Sequence, residues 1–240
     1  MTISPPAPVR RVVSLVPSLT EAVGFTAPDL LVGVTDWCTH PADLAASRVG
    51  GTKNPRVDEV VALRPDLVLV NTEENRASDL AALREAGVSL WVTDYETVPA
   101  ALSGLEEMLA ALGLGRPGWL ATAGEAWRAP WTGARVAALV PIWRRPWMAL
   151  GRETFAGDVL SRVGVDNVLA ADPERYPKVD LADLPPYDVV VLPDEPYAFS
   201  ADDGPESFDA PARLVSGRHL TWYGPSLAEA RDVLLSQLWD

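Results

Sequence analysis

A short apolar run ending in proline, Val12-Val13-Ser14-Leu15-Val16-Pro17, returns later in the chain as Val136-Ala137-Ala138-Leu139-Val140-Pro141. Each copy opens the same pattern. In the first half, Leu63-Arg64-Pro65-Asp66-Leu67-Val68-Leu69-Val70 runs straight into Asn71-Thr72-Glu73-Glu74-Asn75. In the second, Leu184-Pro185-Pro186-Tyr187-Asp188 leads through Val189-Val190-Val191-Leu192 into Pro193-Asp194-Glu195-Pro196-Tyr197. Strands that alternate with helices in this way form right-handed parallel βαβ units. The repeat therefore restricts the chain to two similar α/β lobes, Rossmann-like in build, each around a mostly parallel sheet. Open α/β sheets bind ligands beyond the carboxyl ends of their strands, so the expected ligand cleft lies between the lobes, walled by the acidic and aromatic residues of equivalent strand ends.

Local signals fill in the helices. Ser18-Leu19-Thr20-Glu21 reads as a capping box, with Ser18 capping a helix and Glu21 reaching back to it. A helix is expected over residues 57–63, stopped where Pro65 forces Arg64 out of helical geometry. Another covers 76–86, with Gly87 at its C-cap. Residues 98–112 and a segment starting at Pro117 or Gly118 are helical by their alanine and leucine spacing. The latter, at about 11 residues and about 17 Å, is the natural connector between lobes. An amphipathic helix closes the chain over 225–238. The expected division is an N-terminal lobe at 9–97, a helical region with the inter-lobe helix at 98–133, and a C-terminal lobe at 134–240.

Charge and composition exclude several classes of function. With 33 acidic against 20 basic residues, the net charge of -13 argues against nucleic acid and anionic membranes as partners. No apolar run approaches the roughly 18 residues of a membrane span. The start of the chain lacks the basic, apolar and cleavage regions of a secretory signal. Taken as written it is expected in the cytoplasm, and in the periplasm or outside the cell, attached to the membrane, if an export segment has been removed. A single cysteine, Cys38, excludes an internal disulfide.

The residues that bear chemistry cluster at the expected strand ends. Trp37, Trp143, Trp147 and Trp222, with Tyr197 and Tyr223, offer flat walls to a large, partly apolar ligand. Ile142-Trp143-Arg144-Arg145-Pro146-Trp147 places two arginines between two tryptophans, suited to an anionic or amide-bearing group. Lys53 and Asn54 lie in a turn just ahead of a helix and suit a polar or anionic group. Glu73 or Glu74 with Glu195 would permit a hydrolase with one acid and one base, and Glu73 and Glu74 near Arg76 read equally well as a ligand clamp. Cys38 and His40, two apart, resemble a fragment of a metal site. With two histidines and one cysteine in the chain no closed protein-only zinc site is expected, although His40 could ligate a metal that a ligand carries. No P-loop, dinucleotide fingerprint or nucleophile elbow is present.

Several of these runs resemble a known family. Arg11-Val12-Val13-Ser14-Leu15-Val16-Pro17-Ser18-Leu19-Thr20-Glu21, Val32-Gly33-Val34-Thr35-Asp36-Trp37-Cys38-Thr39-His40-Pro41, Val57-Asp58-Glu59-Val60-Val61-Ala62-Leu63-Arg64-Pro65-Asp66-Leu67-Val68 and Gly151-Arg152-Glu153-Thr154-Phe155-Ala156-Gly157-Asp158-Val159-Leu160 are similar to the substrate-binding proteins of ABC importers of the cobalamin and ferric-siderophore type. The resemblance covers nearly the whole chain. It implies a class III periplasmic-binding-protein-like fold, with two lobes on one backbone helix, and a monomer. It implies no enzymatic activity and no cofactor, but binding of cobalamin or another corrinoid, with a ferric siderophore or haem as the alternative chelate, and transfer to an ABC permease. A cytoplasmic sensor or carrier of the same fold is a further alternative. By the same resemblance Ser18, Trp37, Lys53, Asn54, the segment after Val70, Trp143, Trp222 and Tyr223 contact ligand. Asp58 or Glu59 in the first lobe, and Asp180 or Asp183 in the second, dock to basic permease residues.

Overall fold

The apolar repeats are the central strands of two parallel sheets. The computed structural model describes residues 8–239. The segment 1–7, which carries the expectation about an export signal, and Asp240 lie outside the described residues. In chain order the first elements are β1 (Val12–Ser14), α1 (Pro17–Thr26), β2 (Leu31–Val34), β3 (Ser47–Arg48), β4 (Gly50–Gly51), β5 (Asn54–Pro55), α2 (Val57–Ala62), β6 (Leu67–Asn71), α3 (Ala77–Glu85), β7 (Leu90–Thr93), α4 (Val98–Ala111) and α5 (Gly118–Ala126). There follow β8 (Val136–Leu139), β9 (Pro141–Arg144), β10 (Trp147–Ala149), α6 (Phe155–Ser161), β11 (Val165–Asn167), β12 (Val189–Pro193), β13 (Ala212–Val215), α7 (Gly217–Thr221) and α8 (Leu227–Trp239). Among the described residues no helix is long and apolar enough to cross a membrane.

The chain divides into two compact units. The first holds the described residues up to Asp94 together with Leu102–Ala121 and Tyr223–Pro225; the second holds Tyr95–Ala101, Thr122–Trp222 and the residues from Ser226. The division thus passes through α4 and α5, and residues 223–225 return to the first unit.

The first unit is built on a five-stranded parallel sheet in the order β3-β2-β1-β6-β7. The second carries a four-stranded parallel sheet in the order β11-β8-β12-β13. Setting aside the two-residue edge strand β3, the two orders are the same. β1 corresponds to β8, β2 to β11, β6 to β12 and β7 to β13, so the repeated runs occupy equivalent central strands. Parallel strands covered on both faces read as continuous apolar runs. That is why Leu67, Val68, Leu69 and Val70 are all fully buried, as are Val190, Val191 and Leu192. Val13, Leu15, Val68, Val70, Val60 and Leu83 form the first unit's core against α2 and α3. Val190, Leu192 and Phe199 centre a smaller one in the second.

Most helix boundaries follow the local signals. Helix α3 ends with Gly87 at φ 78°, its N–H donating to Arg84 O while the Val88 N–H donates to Leu83 O. Arg64, ahead of Pro65, leaves helical geometry as expected, at φ 48°. One expectation needs correction. The capping box at Ser18 does not form: Val16 is the N-cap of α1, Pro17 takes the first helical position, and Ser18 lies inside the first turn with Glu21 fully buried. Proline at that position removes a donor that would have gone unpaired anyway, so no serine cap is needed. The run 142–147, to which the sequence signals assign no element, is an antiparallel hairpin of β9 and β10 with Trp147 opposite Arg144 and Met148 opposite Trp143.

Leu69 lies at the middle of β6 with no exposed surface. Leu69→Ala is expected to cost about 2–5 kcal/mol through lost burial and a residual cavity, read as a fall in the urea midpoint at unchanged slope.

Candidate functional site

At the carboxyl end of β6, in the first unit, the last residue is an amide rather than another aliphatic side chain. Asn71 is buried, and all four of its side-chain hydrogen-bonding positions are used. Its Oδ1 accepts from the backbone N–H groups of Glu73 (2.8 Å) and Glu74 (3.1 Å). Its Nδ2 donates to the Tyr223 hydroxyl (2.9 Å) and to Thr93 Oγ1 (3.3 Å). Thr93 at the end of β7 donates in turn to Val70 O, 3.0 Å away. The Asn71 N–H donates to Asn75 Oδ1 (2.9 Å), whose own Nδ2 donates to Leu15 O (3.2 Å) and Thr52 O (3.0 Å). Two carboxamides thus bind the ends of β1, β6 and β7 to the β4–β5 turn and hold Tyr223 in place.

Of the predicted residues of this unit, Glu73, Glu74 and Tyr223 bond directly to that network and Lys53 bonds to Glu73. Trp37 follows β2 and is 66% exposed. Lys53, in the β4–β5 turn, donates through Nζ to Glu73 O; Asn54 begins β5 and is exposed. Glu73 and Glu74 are half-buried, their turn set by Asn71. Arg76 is exposed at the N-cap position of α3. Tyr223, 5% exposed, is a packed member of the network rather than an open wall. Ser18 Oγ is buried without a hydrogen-bond partner. His40 is half-buried, with Nδ1 3.0 Å from Thr39 Oγ1. Cys38 points the other way: it is fully buried, with Sγ 3.0 Å from Thr20 Oγ1 and 3.1 Å from Thr35 Oγ1, and burial pushes its thiol pKa up. Cys38 and His40 therefore do not form a metal-site fragment. Among the described residues no group of three or more candidate protein ligands comes together.

In the second unit the β9–β10 hairpin carries Trp143, Arg144 and Trp147. Trp143 is 42% exposed and meets the edge of the Tyr197 ring at 5.6 Å. Trp147 stacks on Phe199 at 6.0 Å and meets Phe208 edge-on at 5.3 Å, so it is a core residue of the hairpin. Arg144 lies 5.5 Å above the Trp147 ring and is clamped by Asp203 and Glu206. The Tyr197 hydroxyl donates to Asp203 Oδ2 at 2.7 Å, which completes the clamp.

Glu195 follows β12 by two residues and is half-buried, its Oε2 accepting from Trp222 Nε1 at 3.0 Å. A Cβ on Gly217 would lie 2.6 Å from both the backbone N and the Cβ of Glu195, so only glycine lets α7 approach this closely. Trp222, 8% exposed, serves here as a hydrogen-bond donor. Burial raises the Glu195 pKa; the Trp222 bond lowers it, the Asp194 charge adds to the rise and Arg218 opposes it.

Of the predicted docking carboxylates, Asp58 and Glu59 are exposed in the first turn of α2, with Glu59 2.6 Å from Arg56 Nε. Asp180 and Asp183 are exposed on the loop before β12. Two cavities lie away from all predicted ligand-binding residues. One, of about 560 Å³, is in the first unit beside Arg11, Asp29 and Ser47. The other, of about 310 Å³, is in the second unit beside Thr97, Asp158 and Asn167. In the latter, Asp158 already accepts from the Val98 N–H and from Arg162, and Asp166 pairs with Arg135.

Asn71 was expected only within the segment after Val70, as a ligand contact and not as a buried bracket, and neither Thr93 nor the acidic partners of Arg144 were expected from sequence. The signal for Asn71 was an amide directly after four consecutive aliphatic strand residues. Asn71→Ala is expected to destabilise the fold by roughly 3 kcal/mol, since it strands several partly buried polar groups at once, whereas Tyr223→Phe should cost about 1 kcal/mol; chemical denaturation of both variants checks this. For Glu195 the sign follows from the raised pKa. Folding favours its neutral form, a contribution present below the ordinary carboxylate pKa and lost as pH rises through the raised one. Glu195→Gln should therefore gain melting temperature over the parent at about pH 8 compared with about pH 4; an equal difference at both would contradict it.

No protein-family profile matches the chain. The sequence is 25% identical over 205 residues to a vitamin B12-binding protein of Vibrio parahaemolyticus, covering 82% of this chain and 74% of that one. Further relatives of the same name in Vibrio cholerae match at 28% over 105 residues, 38% of their length. Among solved structures, the periplasmic vitamin B12 binding protein BtuF of Vibrio cholerae superimposes with a TM-score of 0.75 at 18% identity, over 96% of this chain and 97% of that one. The periplasmic heme-binding protein RhuT of Roseiflexus gives 0.74 at 20% identity, over 97% and 98%. The chain has the class III substrate-binding-protein fold of ABC importers and is related in sequence to vitamin B12-binding proteins, in agreement with the resemblance carried by its motifs.

Proposed function

We propose that the chain is the substrate-binding component of an ABC importer and that its ligand is a bulky metal chelate, a corrinoid first of all, bound without chemical change. The observation that carries this reading is a pair of large exposed side chains, Trp37 just after β2 and Trp143 in the β9–β10 hairpin that follows β8. Exposed indoles at such positions, beside residues whose conformation is fixed by hydrogen bonds, mark a ligand surface. The names of the relatives point to vitamin B12, and those of the solved structures to vitamin B12 and heme. In this reading the lobes are residues 9–97 and 134–240, joined by the helical region 98–133. Lys53, Asn54, Glu73, Glu74 and Arg76 meet the ligand from the first lobe, and Arg144, Glu195 and Tyr197 from the second. His40, close to Trp37 in the chain, is the side chain offered to a ligand-borne metal. Asp58, Glu59, Asp180 and Asp183 offer carboxylates to a basic permease surface, which puts the working protein on the outer side of the cytoplasmic membrane.

A thermal-shift titration against cyanocobalamin, adenosylcobalamin, haem and a panel of ferric siderophores tests the ligand class. A ligand at one hundred times its dissociation constant adds about 2.7 kcal/mol, a shift of about 2–4 °C per kcal/mol in a chain of this size. A shift with the cobalamins alone supports the corrinoid, one with haem or a siderophore alone replaces it, and silence across the panel removes the chelate reading. Trp37→Ala and Trp143→Ala should each weaken binding by about tenfold while leaving the unliganded melting temperature nearly unchanged.

A further inference from the structure

Resting on the reading of the chain as a chelate-binding protein, we propose that Glu195 makes the second unit selective for ligands whose rim carries uncharged amides over ligands whose rim carries carboxylates. Its carboxylate is fixed rather than mobile. Gly217 packs against its backbone, and Trp222 Nε1 donates to Oε2 at 3.0 Å. Two residues on, the Tyr197 ring meets the exposed Trp143, so carboxylate and indole sit on adjoining segments of one strand-end face.

Of the cations near this face, the partly buried Arg144 is already neutralised. Arg144, with 17% of its side chain exposed, is held by both Asp203 and Glu206, and Tyr197 holds Asp203 in turn. Arg218 lies over the Trp222 ring, 5.9 Å from its centroid. Asp194, which accepts from the Gly217 N–H at 2.6 Å, adds a second negative charge beside Glu195. An ionised carboxylate offers acceptors only. A ligand amide can donate to it, whereas a ligand carboxylate brings a second acceptor and a like charge into a place that a bulky ligand closes to water.

The test compares cyanocobalamin with its monocarboxylic acids, in which one propionamide of the corrin rim is hydrolysed, at about pH 8. Haem and its dimethyl ester form a second probe pair. The wild-type chain should bind the amide or ester form about tenfold or more tightly than the acid form. In Glu195→Gln that ratio should fall to about twofold or less, because the glutamine amide can donate to a carboxylate. Asp203→Asn combined with Glu206→Gln, which releases Arg144, should tighten binding of the acid form and decides the matter should the Glu195 variant fail to fold. Equal wild-type affinities within a pair, or a ratio unmoved in both variants, would overturn the proposal while leaving a chelate-binding protein. Porphyrin binding without corrinoid binding would remove the corrinoid, and the ester-to-acid ratio would then decide the role of Glu195. Failure of every probe to bind overturns both readings.

Discussion

The carboxamide of Asn71 is the point on which the first unit's strand-end face depends. A parallel sheet releases its strands at one end, and the backbone groups freed there must find partners. Loops left to water would satisfy them at the cost of a defined surface. Here one buried amide accepts from two consecutive backbone N–H groups of the Glu73–Glu74 turn and donates to a hydroxyl on β7 and another on Tyr223. Asn75 repeats the arrangement toward Leu15 and the Thr52 turn. Because every valence of Asn71 is filled, the network gains from low dielectric instead of suffering from it. The side chains projecting beyond it, Trp37 and Lys53 among them, stand on a fixed base.

The second unit reaches a rigid face by another route. Its sheet has the same strand order, yet where β6 ends in asparagine, β12 ends in Pro193 and passes directly to Asp194 and Glu195. Asn167 at the end of β11 accepts from the Leu169 N–H and donates to Leu150 O and Gly151 O, and Gln237 accepts from the Ser216 N–H, but neither amide stands at the end of β12. The work falls to the β9–β10 hairpin, an insertion with no counterpart after β1, which stacks Trp147 on Phe199 and brings Arg144 to Asp203 and Glu206. A duplicated scaffold thus carries two chemically different surfaces: around β6 the strand ends are held by neutral hydrogen bonds, and beside β12 by aromatic packing and an ion-pair clamp. Under the proposed function the difference bears on ligand recognition, since a clamp that consumes its arginine leaves the neighbouring carboxylate to set polarity.

How much of this the residues announced depends on the range of the interaction. The strand repeats, the fixed φ of Arg64 before Pro65 and the glycine after α3 are local effects, and all were legible in sequence. The duplicated strand order was legible too, since parallel crossovers leave few alternatives. The capping box at Ser18 was misread because Pro17 can open a helix as well as a serine can cap one, and the two signals compete within three residues. The hairpin at 142–147 was missed because its strands are only four and three residues long and stabilised by ring packing from residues 50 to 60 positions away. The burial of Trp222 and Tyr223 is non-local in the same way. Tyr223 pairs with Asn71, 152 residues earlier, and nothing in its neighbourhood marks it as a core residue rather than a wall.

The exposed indoles set a lower limit on the size of any ligand. A tryptophan presents about 250 Å² at most, so covering the 66% of Trp37 that is open to water gains about 4 kcal/mol and the 42% of Trp143 about 2.5 kcal/mol, at roughly 25 cal/mol per Å². Association costs about 4–15 kcal/mol in lost freedom before any affinity appears. A small polar solute, able to cover part of one ring, cannot recover that cost, and the hydrogen bonds it would make replace equally good bonds to water. Arg144 cannot make up the difference by pairing with a small anion, because it is clamped by two carboxylates. What remains is a ligand with a broad apolar face to lie on an indole and a rim of polar groups to meet the strand-end residues. In the proposed reading aromatic area supplies the affinity on such a surface, and the fixed carboxylate of Glu195 discriminates among rims.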